Sequence, residues 1–203
     1  MNLGVIDYGG GNLRSLLRAL QFLGAEPRTV SSPADFEGLT HLAFPGQGAF
    51  GDCMANLNKR DLASPLKDWL AADKPFFGIC IGYQLLFEGS QESPDTPGLG
   101  ILKGQCVRFP DQPLLKIPHM GWNIAQPTLS ESPQWAKLPT DPYFYFVHSY
   151  YPQPTDNTLI ASTTNYGLQF PSSVKKGNLF ACQFHPEKSQ HTGLQLLKNF
   201  LQR

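Results

Sequence analysis

One cysteine of this chain has surroundings that point directly to chemistry. Cys80 stands between Gly78 and Gly82, after the apolar residues 76–77 and before residues 83–87, which are typical of the start of a helix. A strand, a tight glycine turn and a helix form a nucleophile elbow, in which the turn exposes the nucleophile at the end of the strand. The positive end of the helix dipole favours the thiolate over the thiol. The pattern therefore predicts that Cys80 is a nucleophile.

A histidine near the C-terminus is the candidate base. His185 is followed by Pro186 and Glu187, at the end of the strand-like residues 179–184. In an extended segment residues two apart lie on the same side, so His185 and Glu187 are predicted to point together. A carboxylate beside an imidazole fixes its tautomer and stabilises the imidazolium that forms when it accepts a proton. We therefore predict a Cys80–His185–Glu187 triad for acyl transfer.

Two glycine turns flank the candidate catalytic residues. The turn P-G-Q-G at residues 45–48 ends a strand, and beside an elbow it predicts an oxyanion hole made by the backbone amides of Gln47 and Ile81. The run of glycines at residues 9–11 has neither phosphate-loop nor dinucleotide-binding spacing. We interpret it as a strand-to-helix turn with Asn12 as the N-cap.

The remaining histidines and cysteines are interpreted as structural. His119 and His148 lie in aromatic stretches and are predicted to be buried core or interface groups. The four cysteines form no C-x-x-C pair, so we expect neither a metal site nor a disulfide framework, and a reducing cytoplasm fits best. Apart from Cys80 they are predicted to be buried fillers.

Length and charge exclude several classes of protein. The chain has 203 residues, 41% of them hydrophobic, and a formal net charge of zero. The length fits one domain, residues 1–203. A neutral chain without a basic cluster argues against nucleic acid or an anionic membrane as partner. The first residues show no charged leader, and no apolar run approaches the roughly 20 residues of a membrane span.

The elements that must position these residues alternate in the first half of the chain. Strands are predicted at residues 3–7, 27–30, 41–44 and before the elbow, and helices at 13–23, 52–57 and 65–72. Strand-like segments then follow with few helices between them, at residues 105–109, 118–123, 143–147, 159–164, 168–174 and 179–184, before a closing helix at 193–201. This order predicts an α/β fold with a mainly parallel central sheet flanked by helices and an added antiparallel part.

Taken together, the motifs resemble those of a known family. The motifs P-G-Q-G at residues 45–48, G-I-C-I-G-Y-Q at 78–84 and H-P-E at 185–187 are similar to those of class I (triad) glutamine amidotransferases. Four further motifs narrow the resemblance to the glutaminase subunits of imidazole glycerol phosphate synthases: D-Y-G-G-G-N-L at 7–13, I-P-H-M-G-W-N at 117–123, F-V-H-S-Y-Y at 146–151 and H-P-E-K-S at 185–189. The resemblance extends over essentially the whole chain.

This resemblance implies an activity and a partner. It implies that L-glutamine is hydrolysed to glutamate and ammonia through a Cys80 thioester, without a cofactor. The ammonia would pass to a separate (β/α)8-barrel synthase (cyclase) subunit in a cytoplasmic heterodimer of histidine biosynthesis, with lyase activity overall and allosteric activation of the glutaminase.

The resemblance also assigns residues. It implies substrate-binding positions at Gly46, Gly48, Gln84, Ser149 and Tyr150. It implies partner-facing positions at Asn12, Trp122, Tyr145 and Lys188. Gln47 stands where many members have valine, a difference of little consequence if the oxyanion donor is the backbone amide.

Three alternatives remain open at this stage. A sister glutaminase would serve anthranilate, aminodeoxychorismate or pyridoxal phosphate synthesis, and the synthase that it activates would distinguish it. A cysteine peptidase-like hydrolase of related fold would cleave peptides instead of releasing ammonia from glutamine. A non-enzymatic binding module would carry an inactive triad, against which the intact Cys80, His185 and Glu187 argue.

Overall fold

The computed structural model of the chain describes residues 1–10, 12–113, 115–128 and 132–202. Gly11, the last glycine of the first predicted turn, lies outside the described residues. The helices are α1 (Leu13–Phe22), α2 (Phe50–Lys59), α3 (Ala63–Ala71), α4 (Ile81–Gln84) and α5 (Gln190–Leu201). The strands are β1 (Leu3–Ile6), β2 (Arg28–Val30), β3 (His41–Phe44), β4 (Phe76–Ile79), β5 (Gly89–Ser90), β6 (Gly104–Arg108), β7 (His119–Ile124), β8 (Gln126–Pro127), β9 (Tyr143–His148), β10 (Tyr150–Pro154), β11 (Ile160–Asn165), β12 (Gln169–Lys176) and β13 (Leu179–Cys182).

The central sheet has the order β2-β1-β3-β4-β13-β12-β11-β8 within the described residues. The strands from β2 to β13 in this order pair in parallel, and β12, β11 and β8 continue the sheet antiparallel. Every residue of β1, β3, β4 and β13 is buried, as expected of parallel strands with both faces covered. The prediction of an α/β fold with a mainly parallel sheet and an antiparallel part is confirmed.

Helices cover the two faces of this sheet. Phe76 and Phe77, neighbours in β4, point to opposite faces and belong to two separate cores. On one face α2 and α3 contribute Phe50, Leu57, Leu66 and Trp69 to the core. On the other face α1 and α5 contribute Leu16, Leu20, Leu197 and Phe200. The elbow strand is therefore clamped between two hydrophobic layers.

Two smaller sheets lie beside the central one. In the described part, β10, β6 and β5 form one sheet in that order, and β7 pairs antiparallel with β9. The sequence does not predict β10, because Pro152 and Pro154 interrupt it. The strand forms nevertheless because it lies at the edge of its sheet, where a proline nitrogen can face away from the ladder.

The helix predicted after the elbow is shorter than expected. It consists of the single turn Ile81–Gln84. The carbonyls of the next residues accept hydrogen bonds from a following loop instead of continuing the helix: Leu85 accepts from Leu99 at 2.8 Å and Leu86 accepts from Ile101 at 2.9 Å. The dipole available to Cys80 is therefore that of one turn. Among the described helices, none has the length and apolarity needed to cross a membrane.

Candidate active site

The carboxyl ends of four adjacent parallel strands meet at one edge of the sheet and bring the predicted residues together. Tyr8 follows β1, Gln47 follows β3, Cys80 follows β4, and His185 follows β13. In open α/β sheets the crevice outside this edge is where ligands bind. The strand order therefore gathers residues that are far apart in the sequence.

Cys80 sits in a strained turn at the end of β4. Its φ of 54° and ψ of −108° lie in a region that non-glycine residues rarely adopt, at a cost of about 1–3 kcal/mol. The backbone amide of Cys80 donates to the carbonyl of Cys182 at 2.8 Å, which extends the β4–β13 ladder up to the turn. The predicted elbow is thus present, and the flanking sheet holds the nucleophile in place.

The glycines around the elbow are required by close packing. A Cβ on Gly82 would lie 2.2 Å from the carbonyl oxygen of Phe44. A Cβ on Gly46 would lie 1.9 Å from a methyl carbon of Ile81. Both distances are shorter than any non-bonded contact allows, so the turn after β3 can reach the elbow only without these side chains.

His185 and Glu187 meet as predicted, but through a different backbone. Nδ1 of His185 lies 2.8 Å from Oε1 of Glu187. The expected extended segment is wrong, since β13 ends at Cys182 and Pro186–Lys188 forms a 3-10 turn. Ser189 fixes this turn: its hydroxyl donates to the carbonyl of His185 at 2.6 Å and accepts from the amide of Tyr145 at 2.9 Å.

The protonation of His185 follows from its partners. An ionised carboxylate only accepts hydrogen bonds, so Nδ1 donates to Glu187. Nε2 is buried and has no hydrogen-bond partner among the described residues. Burial by itself lowers the pKa of His185, but the interactions with Cys80 and Glu187 outweigh burial and raise this pKa to about 10. The arrangement therefore favours an imidazolium facing Cys80.

A cavity of about 270 Å³ opens beside the nucleophile. Ten of the predicted site residues line it: Gln47, Gly48, Cys80, Ile81, Gln84, Tyr145, Ser149, Tyr150, His185 and Lys188. Glu187 and Gly46 do not line it; Glu187 pairs with His185, and Gly46 packs against the elbow. Trp122 is 48% exposed and its ring lies edge-on to that of Tyr145, 6.2 Å between centroids.

The predicted oxyanion donor Gln47 has another partner in this structure. Its backbone N–H donates to the hydroxyl of Tyr8 at 3.1 Å, and the same hydroxyl donates to its carbonyl oxygen at 3.1 Å. Tyr8 is 1% exposed, and burial raises the pKa of its phenol well above the usual range. The hydroxyl therefore stays protonated and bonds both the backbone N–H and the backbone carbonyl of Gln47.

Sequence reasoning missed three features of the site. Asn12 is at the N-cap of α1 as predicted, but its side chain makes no capping bond and instead donates to Oε1 of Glu187 at 3.2 Å. Gln183 donates to the sulfur of Cys80 at 3.7 Å; its position two residues before His185 is the signal that could have revealed it. Glu92 also lines the cavity, and no local pattern marks it.

The other cysteines are buried, as predicted. Cys53, Cys106 and Cys182 are free thiols with exposures of 2% or less. Burial raises the pKa of Cys53 to about 11, and raises those of Cys106 and Cys182 as well. These three sulfurs therefore remain protonated near neutral pH and are poor nucleophiles.

An elbow cysteine, a buried histidine–glutamate pair and a doubly covered parallel sheet define a class of cysteine-dependent amide hydrolases. Residues 4–203 match the family described as "Glutamine amidotransferase class-I". The chain belongs to the class I glutamine amidotransferases.

Curated relatives are similar in sequence to nearly the whole of this chain. The imidazole glycerol phosphate synthase subunit HisH of Gloeothece citriformis is 46% identical over 200 residues, covering 98% of this chain and 94% of the relative. The same subunit of Aromatoleum aromaticum is 47% identical over 210 residues, covering 98% and 97%.

Solved structures share the fold. A glutamine amidotransferase crystal structure has a TM-score of 0.77 at 20% identity, covering 100% of this chain and 98% of the other. A chain of PurLQS from Thermotoga maritima has a TM-score of 0.76 at 19% identity, covering 99% and 97%.

Proposed function

We propose that this chain is the glutaminase subunit of imidazole glycerol phosphate synthase, active in histidine biosynthesis in the cytoplasm. The observation that carries the proposal is the Cys80–His185–Glu187 arrangement at the cavity. It is supported by the relatives, which bear that name at 46–47% identity. We propose that residues 1–203 form one glutamine amidotransferase domain, since the family match extends over residues 4–203. Four free cysteines support a reducing compartment.

In the proposed reaction Cys80 attacks the carboxamide carbon of L-glutamine. The C–N bond breaks as His185 gives its proton to the leaving nitrogen, which departs as ammonia and leaves a thioester. Water, deprotonated by His185, then attacks the thioester; the C–S bond breaks, glutamate leaves, and the proton on His185 and the freed Cys80 sulfur restore the starting pair. Glu187 holds the imidazole in the tautomer that directs Nε2 at this chemistry.

The cavity has groups suited to the rest of glutamine. Among the described residues that line it, Glu92 alone carries a carboxylate, and one of its oxygens accepts from the amide of Phe50 at 2.8 Å. We assign Glu92 to the α-ammonium group of the substrate, because opposite charges pair there. Gly48, Gln84, Ser149 and Tyr150 would enclose the remaining atoms, with Gly46 behind them.

The oxyanion of the tetrahedral intermediate needs two donors. Ile81 occupies the first position of α4, where an amide has no partner within the helix. We propose the amide of Gln47 as the second donor, which requires it to leave Tyr8 and turn toward Cys80. Gly48, with φ of 128°, can absorb such a rotation. The chain would then be nearly idle until its partner favours the turned state.

We propose a (β/α)8-barrel cyclase as that partner, in a heterodimer whose overall reaction is a lyase reaction. The surface around the cavity supports a docking face: Trp122, Tyr145 and Lys188 lie near its mouth, with Asn12 bonded to Glu187. The ammonia would pass from the cavity to the cyclase, which needs only ammonia and its nucleotide substrate.

Replacement of Cys80 tests this division of labour. With the cyclase present, Cys80→Ala should abolish glutamine-dependent synthesis and leave synthesis from ammonium salts intact. A glutamine-like diazo ketone should label Cys80 alone, with the buried Cys182→Ala as the matched control that leaves labelling unchanged. The proposal is wrong if both activities disappear while the complex remains assembled, or if another amidotransferase synthase is activated instead.

A further inference from the structure

Two buried histidines that the proposed mechanism does not use lie at one wall of the cavity, which His148 lines. His119 in β7 is paired with His148 in β9, and their side chains are 2% and 6% exposed. Nδ1 of His119 lies 3.1 Å from Nε2 of His148. His119 is stacked between the rings of Phe146 and Tyr166, at centroid distances of 4.8 and 3.9 Å. Rings on both sides fix the plane of this imidazole.

Hydrogen bonds continue from both ends of the pair. On the cavity side, Nδ1 of His148 lies 2.8 Å from the carbonyl oxygen of Tyr150. On the opposite side, Nε2 of His119 lies 3.3 Å from Nδ2 of Asn123, which also donates to the carbonyl of Asn165 at 2.9 Å. The amide of Ile124 donates to Oδ1 of Asn123 at 2.8 Å, which fixes the orientation of the Asn123 amide.

With neutral rings only one arrangement of protons satisfies this chain of hydrogen bonds. A carbonyl oxygen only accepts, so His148 carries its proton on Nδ1 and its Nε2 accepts. His119 must then donate from Nδ1, and its own Nε2 accepts from Asn123. An additional proton on either ring would set two donors against each other. Burial lowers the pKa of His119 to about 4 and, with the charge of His119, that of His148 to about 3.

The end of this chain of hydrogen bonds is a wall of the cavity. The carbonyl of Tyr150 accepts a second hydrogen bond from Nε2 of Gln84 at 3.0 Å, so both of its lone pairs are engaged. Gln84 also donates to Gln183, which contacts the sulfur of Cys80. His148, Ser149 and Tyr150 are consecutive and all line the cavity. His148 therefore holds the backbone of the residues to which the family resemblance assigns substrate binding.

We propose that His119 and His148 are positioning residues for glutamine binding: as a neutral, proton-ordered pair anchored at Asn123, they fix the backbone of Ser149 and Tyr150 that faces the substrate. This inference rests on the proposed function for the identity of the substrate. The pair acts through Tyr150 and takes no part in the proton transfers at Cys80. Its loss therefore weakens glutamine binding more than it slows the chemical step.

Two replacements of His148 test the proposal as a matched pair. The side-chain amide of His148→Asn has a donor near the position of Nδ1, whereas the ring of His148→Phe keeps the volume and has no donor. In a Cys80→Ala background, where no turnover occurs, the Kd for L-glutamine should rise about tenfold in His148→Phe and less than about threefold in His148→Asn, the scale of one hydrogen bond. In the active protein KM should follow the same order, with kcat nearly constant. Equal affinities in the two folded variants, or a loss confined to kcat, would overturn it.

Nuclear magnetic resonance of the unsubstituted protein provides a test that needs no variant. With 15N-labelled histidine at pH 7, both rings should be neutral and carry their proton on Nδ1. A proton on Nε2 of either ring, or an imidazolium at either position, would overturn the proposed order. If the Cys80→Ala chain bound no L-glutamine, the proposed function would fail, whereas the tautomers would still decide whether the ordered pair exists.

Discussion

Replacing Tyr8 by phenylalanine tests whether the resting chain is held inactive by one hydroxyl. In the structure this hydroxyl accepts from the amide of Gln47 and donates to its carbonyl, both at 3.1 Å. The proposed oxyanion hole needs that amide to face Cys80. The phenylalanine ring would keep the edge-on packing against Phe44, at 5.6 Å between centroids. The change therefore removes only the contacts of the hydroxyl, namely the two hydrogen bonds to Gln47 and the interaction with the thiol of Cys53.

The size of the effect follows from these two hydrogen bonds. One hydrogen bond between neutral groups contributes about 0.5–1.5 kcal/mol net. Because a single hydroxyl forms both, the resting orientation should be destabilised by about 1–2 kcal/mol. A free energy of 1.36 kcal/mol corresponds to a tenfold change, so glutamate release by the isolated chain should rise about 5- to 30-fold. In the activated complex the amide of Gln47 has already turned toward Cys80, so the rates of Tyr8→Phe and of the unsubstituted protein should differ by less than about twofold.

The assay is glutamate release by the isolated chain and by its complex with the cyclase. Tyr83→Phe is the matched control, because Tyr83 is fully buried next to the elbow and its hydroxyl has no hydrogen-bond partner among the described residues. It should leave both rates unchanged. A basal rate in folded Tyr8→Phe that is equal to or lower than that of the unsubstituted chain would refute the reasoning, since the hydroxyl would then not hold the inactive state.

Three further predictions concern the site and its surroundings. Asn12→Ala should lower kcat for glutamine hydrolysis about tenfold in steady-state assays, because a hydrogen bond to the charged Glu187 contributes about 1.5 kcal/mol. An unchanged kcat would show that this hydrogen bond does not contribute to catalysis. In the activated complex Gln47→Ala should keep most activity and Gln47→Pro should lose about 100-fold, the scale of one oxyanion donor; a severe defect in Gln47→Ala would point to the side chain. The free energy of unfolding, measured by urea titration, should fall as the pH is lowered from 6 to 5. The pKa values of His119 and His148 are lowered in the folded chain, so in this range only the unfolded chain binds a proton at each of them. Each histidine should contribute up to about 1.4 kcal/mol per pH unit. A His119→Asn, His148→Asn variant should show a flatter profile, and equal slopes would contradict this account.

The sequence alone determined the features that depend on neighbouring residues. Short apolar runs predicted β1, β3 and β13 to within two residues at each end and placed β4 directly before the elbow, because buried parallel strands are apolar on both faces. Glycines around a cysteine predicted the elbow, since few other residues tolerate such close backbone contacts. Where the prediction failed locally, at β10 and at the length of α4, pairing with distant segments outweighed the local signal.

Only the tertiary structure decided which side chains share the site. Asn12 and Glu187 are 175 positions apart in the sequence and form a hydrogen bond. Gln183 and Cys80 are 103 positions apart and are also in contact. Periodicity indicates which face of an element is buried, but it carries no information on which strands become neighbours. The order β1-β3-β4-β13 brings four carboxyl ends to one edge. For this reason the hydroxyl of Tyr8 on Gln47, and the proton order of His119 and His148, follow from the fold and could not be predicted from motifs.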